Sequence, residues 1–107
     1  MEVYYWPDYE RRARRLFTED ERKAAELEIV GAPLRWPVIP RTGGARKARV
    51  AKGSKGKSGG ARIIYYVMIR GDAIYLLDVY AKGEKEDLSD DQKNKIRELI
   101  EALEAEG

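Results

Sequence analysis

Two hydrophobic rhythms run along the chain, and the change from one to the other falls near Pro33. Before it, apolar residues recur at helical intervals: Tyr9, Ala13, Leu16 and Phe17, then Ala24, Ala25, Leu27 and Ile29. Thr18 and Glu21 form a capping box that opens the second of these helices, and Gly31 and Pro33 close it. Val3 to Trp6 is aromatic and β-branched and is stopped by Pro7, so it reads as a strand leading into the helix pair.

Beyond Pro33 the pattern turns to strands. Trp36 to Ile39 reads as a brief edge strand, and Thr42-Gly43-Gly44 as a turn. From Arg46 to Lys52 the residues alternate, with Ala48 and Val50 on one face and Lys47 and Arg49 on the other. A strand there sets two cations side by side, about 7 Å apart. Gly53 to Gly60 has the composition of a loop. Arg62 to Ile69 and Ala73 to Tyr80 form a predicted hairpin around Arg70-Gly71-Asp72. Pairing Ile69 with Ala73 puts Arg62 opposite Tyr80, with Lys82 one diagonal step away on the same face. Asp78 shares that face and could neutralise one of these cations. Ser89 and Gln92 make a second capping box, and the stripe Ile96, Leu99, Ile100, Leu103 gives the last helix an apolar side to dock on its own sheet.

These elements fill a single domain over residues 1–107. The chain has no cysteine and no histidine. That removes thiolate chemistry, histidine-based acyl transfer and the commonest general base at neutral pH. Its carboxylates show no clustered pattern, so neither metal nor cofactor is expected. No apolar run is long enough to span a bilayer, and the first residues lack a secretory pattern; a cytoplasmic protein without a membrane partner is expected.

The net charge is only +2, yet between Glu28 and Asp72 there are ten cations and no acid, which leaves the two flanks together strongly negative. Such segregation makes a basic face suited to a polyanion. Ala51 to Ser58 fits the loose P-loop expression, but Gly59-Gly60 leads into a β-run instead of a helix, so a nucleotide site is rejected. RNA carries its own nucleophile, the 2′-hydroxyl. A cationic cluster can therefore cleave it by alignment and charge stabilisation without histidine.

Three segments, Thr42 to Val50 (TGGARKARV), Gly56 to Tyr66 (GKSGGARIIYY) and Tyr80 to Ser89 (YAKGEKEDLS), together resemble the HigB-like branch of the RelE/ParE superfamily of type II toxins. The resemblance implies an α+β fold: a curved antiparallel sheet, two N-terminal helices packed on one face and a C-terminal helix, the RelE-like microbial RNase fold. It also implies a ribosome-dependent mRNA endoribonuclease silenced by a cognate antitoxin protein bearing a DNA-binding helix-turn-helix domain. Residue by residue, Lys47 and Arg49 match the strand cations of such enzymes, Arg62 the arginine opening the next strand, and Lys82 and Lys85 the basic group after the last strand. Gly83 stands where better-known members carry arginine and Ser89 where they carry tyrosine, so Tyr80 and a lysine of lowered pKa both remain open as the proton-transfer group.

The expected catalytic set is Lys47, Arg49, Arg62, Tyr80, Lys82 and Lys85, with Arg41, Arg46, Lys52, Lys55 and Lys57 contacting messenger or ribosomal RNA. Two other readings use the same residues differently: a gyrase-poisoning toxin like those of the ParE branch, and a non-catalytic RNA-binding module. The density of cations disfavours the first, and the scarcity of aromatics beside them disfavours the second.

Overall fold

The computed structural model describes residues 1–53, 60–85 and 87–106. Strand β1 (Glu2–Tyr5) leads into α1 (Pro7–Leu16) and α2 (Glu19–Gly31); then come β2 (Arg46–Val50), β3 (Ala61–Met68), β4 (Ala73–Ala81) and α3 (Asp90–Glu106). Both capping boxes form. The Thr18 hydroxyl accepts from the Glu21 amide while the Glu21 carboxylate accepts from the Thr18 amide, and Ser89 and Gln92 repeat the exchange ahead of α3.

The sheet order is β1-β4-β3-β2. The expected antiparallel pairing holds for β2, β3 and β4, but β1 joins β4 in parallel, which makes the sheet mixed. The helix pair is the cause. It carries the chain across one face after β1, and such a crossover is what a parallel neighbour requires. The segment before β2 contributes one isolated bridge, Val38 to Arg46, where a short edge strand was expected.

Each face of the sheet has its own core. Ala48, Val50, Ile63, Tyr65, Leu76 and Val79 pack against Tyr9, Ala13, Ala25 and Ile29 of the helix pair. On the opposite face Ile64, Leu77 and Tyr80 pack with Ile96 and Ile100, so the apolar stripe of α3 is used within the chain. Tyr66 and Arg70 bind Glu104 near the end of α3, holding it down. Among the described residues no helix is long and apolar enough to cross a membrane.

The central hairpin departs from expectation at its tip. Met68, not Ile69, pairs with Ala73, so the turn is one residue longer, and the Asp72 amide donates to the Ile69 carbonyl at 3.2 Å. Leu77 is then an extra residue in β4, because the pairs step from Tyr65 with Leu76 to Ile64 with Asp78. This bulge offsets the turn, and beyond it the expected register returns.

Candidate active site

The site is a row of side chains across three strands. Arg49 of β2 pairs with Arg62 of β3, and Arg62 pairs with Tyr80 of β4. Alternation turns the neighbours Ala48, Val50, Ile63 and Val79 into the core under the helix pair, which sends this row to the other face. Like charges directly opposite one another repel, so the juxtaposition of Arg49 and Arg62 suits an anion lying across both. One row further along, Lys47 pairs with Ile64, two residues from Arg49 and on the same side.

Tyr80 is almost wholly buried, and its hydroxyl has no hydrogen-bond partner among the described residues. Burial pushes the phenol pKa up, the carboxylates of Asp87 and Asp78 push it the same way, and Arg62 opposes them. The Lys85 ammonium lies 4.9 Å from the Tyr80 ring centroid, a cation–π contact. Lys82 follows Tyr80 by two positions and is exposed, and its amide donates to the Gly60 carbonyl at 3.0 Å, tying the end of β4 to the start of β3.

Asp78 does not neutralise the row. Its carboxylate accepts two hydrogen bonds from Arg12 of α1, at 2.6 and 2.7 Å, so a helix residue occupies the acid that could have paired with the site cations. Among the described residues, Asp87 is an acid that reaches the site. Its Oδ1 lies 3.8 Å from Lys47 Nζ and its Oδ2 lies 3.2 Å from Lys93 Nζ. Burial raises the Asp87 carboxyl, but the Leu88 amide and the Lys93 and Lys47 ammoniums outweigh it and hold the group below its ordinary range. Lys93 was absent from the expected set. The signal for it is its place three residues before Ile96, on the stripe of α3 that is buried; a lysine there needs an internal partner.

The structure therefore brings Lys47, Arg49, Arg62, Tyr80 and Lys85 to one face, with Lys82 at its margin. The expected RNA contacts divide. Arg41 is exposed and reaches Asp90 at the start of α3, 3.3 Å away. Arg46 belongs elsewhere: its guanidinium donates to the carbonyls of Leu34 (3.2 Å) and Trp36 (2.6 Å), binding the preceding loop. The Lys52 ammonium acts on Glu21 at the start of α2, away from the row. Lys55 and Lys57 lie outside the described residues. Among the described residues no three potential metal-ligating side chains cluster. Surface grooves run beside Arg12 and Asp78; a row of cations spread over three strands suits a macromolecular anion.

The fold matches the crystal structure of the isolated E. coli RelE toxin with a TM-score of 0.54 at 13% sequence identity, covering 92% of this chain and 97% of that one. That likeness concerns the fold. The family model described as the RelE toxin of the RelE/RelB toxin-antitoxin system matches residues 41–106, which include β2, β3, β4 and α3. The chain belongs to the RelE toxin family and is a toxin of a toxin-antitoxin system.

Proposed function

We propose that this toxin is a ribosome-dependent endoribonuclease of the HigB-like type, cutting mRNA by attack of the 2′-hydroxyl on the adjacent phosphate without a metal. The observation that carries the reading is the row Arg49, Arg62, Tyr80, with Lys47 and Lys85 on the same face. Arg62 is central in that row and would grip the non-bridging oxygens of the scissile phosphate. Lys47, Arg49 and Lys82 would spread the charge of the pentavalent transition state. With its pKa raised, Tyr80 keeps its proton at neutral pH. Its role would then be donation to the departing 5′ oxygen as the P–O5′ bond breaks, while solvent takes the proton that the 2′-hydroxyl loses as its oxygen bonds to phosphorus. Lys52, Lys55, Lys57 and Arg41 would add backbone contacts.

A ribosomal target would put the protein in the cytoplasm. The family match supports an antitoxin as a second partner, and the helix-turn-helix DNA-binding domain of that antitoxin is part of the proposal. The test is primer extension on mRNA from cells expressing the chain, with and without translation. New 5′ ends within codons that appear only during translation are the expected result, and they vanish, along with growth inhibition, in Arg62→Ala. Cuts that persist in the absence of translation, or an Arg62→Ala chain as toxic as wild type, would sink the reading.

A further inference from the structure

Lys93 is a buried ammonium outside the cationic row, about one-fourteenth exposed, at 7%. Its ammonium contacts Asp87 at 3.2 Å, and the other oxygen of that carboxylate contacts Lys47 at a looser 3.8 Å. A third bond, from the Leu88 amide at 2.8 Å, fixes the carboxylate. Asp87 thus stands between a buried lysine and a site lysine and is held more closely by the buried one.

We infer that Lys93 is a positioning residue that restrains Asp87, so that Lys47 keeps its charge for a phosphate. The inference rests on the placing of Lys47 among the RNA-contacting cations under the proposed function. Half of the Asp87 side chain is exposed, and so is nearly a third of that of Lys47, at 50% and 30%; the carboxylate is therefore a competitor within reach of the anion site. With Lys93 present, the Asp87 carboxylate is shared, Oδ2 with the buried ammonium and Oδ1 with Lys47. Without Lys93, the Leu88 amide still holds Oδ1 but the carboxylate has lost its closer ammonium, which tightens the pair with Lys47 and leaves more negative charge to repel an incoming phosphodiester. Asp87 also acts electrostatically on Tyr80, so the same charge is felt at two members of the row.

A double-mutant cycle tests this in the full chain. The probe is a 12-nucleotide single-stranded DNA, read by fluorescence anisotropy at low and moderate salt so that no cleavage is needed. Lys93→Met should weaken binding by about fivefold, the effect of one partly exposed charge contact. Lys93→Met combined with Asp87→Asn should return to near wild-type affinity, because the uncompensated charge is gone. In a Lys47→Ala background, Lys93→Met should cost clearly less than in wild type, because only the direct repulsion by Asp87 is left. A purely structural lysine would give the opposite pattern, with no rescue by Asp87→Asn and an equal loss in both backgrounds; either result overturns the inference. Thermal melts of each variant identify losses that come from unfolding, and Lys93→Arg, which keeps the charge, should retain binding. Coupling without mRNA cleavage in the primer-extension assay would overturn the nuclease reading alone, and cleavage without coupling would overturn this inference alone.

Discussion

Arg62 lies directly across from Tyr80 even though the tip of the same hairpin pairs in a register one residue different. The longer turn at Ile69 to Asp72 and the bulge at Leu77 are each one residue out of step, in opposite senses. Since side chains alternate faces, either offset alone would have sent Tyr80 to the wrong side of the sheet relative to Arg62. The bulge also changes the parity of β4, so that Ile74 and Leu76 before it and Val79 after it serve one core while Leu77 and Tyr80 serve the other.

The buried hydroxyl of Tyr80 makes no hydrogen bond with the described residues, so removing it should not lower stability. Tyr80→Phe should unfold in urea at an equal or higher midpoint, by up to about 1 kcal/mol. Cleavage of mRNA should nonetheless fall by about tenfold or more, the scale for loss of a positioned proton donor. The two measurements on one variant separate a packed aromatic from a working phenol.

The Arg12 and Asp78 pair should behave as a partly buried ion pair. Removing Arg12 strands a carboxylate that is only 12% exposed. Arg12→Ala is expected to cost about 3 kcal/mol by denaturant unfolding. Adding Asp78→Asn should recover part of that loss, because the stranded group is then neutral.

Acid should expose the role of Asp87. Its folded-state pKa is held below the ordinary value, against burial and through the Leu88 amide and two ammoniums. A depressed value means that the ionised form stabilises the fold. That contribution is complete above the unfolded-state pKa near 4, at about pH 5 and higher, and is lost as pH falls through the folded-state value. Melting temperatures of wild type and Asp87→Asn, taken between about pH 7 and about pH 2, should differ by a constant amount down to about pH 5 and converge below. A gap that widens in acid would contradict the assignment.

Arg46 and Lys47 are neighbours in sequence and should separate by function. Arg46 holds two loop carbonyls, so Arg46→Ala should cost about 1 to 2 kcal/mol of stability and leave the salt dependence of nucleic-acid binding unchanged. Lys47→Ala should do the reverse, keeping the melting temperature and reducing the slope of log affinity against log salt by about one.

Much of this could be anticipated from residue order. Helix starts were legible in Thr18 with Glu21 and Ser89 with Gln92, because a capping box is a bond between residues three apart. The shared face of Lys47 and Arg49 was legible because alternation along a strand follows from backbone geometry alone. The pairing of Arg62 with Tyr80 was also anticipated, but from a turn that the protein does not make.

Packing settled the rest. Whether β1 joined the sheet parallel, whether Asp78 silenced a site cation or bound Arg12, and whether Arg46 faced the polyanion or a loop all depended on contacts between residues far apart in the chain. The bulge at Leu77 belongs with these, since it reconciles two cores that no local window contains. Lys93 shows the same division: its place on the apolar stripe is written in the order of residues, while Asp87 as its partner exists only once α3 has docked. Local bonds and alternation are properties of a few consecutive residues, but the surroundings of a charge are set by whatever the fold brings beside it.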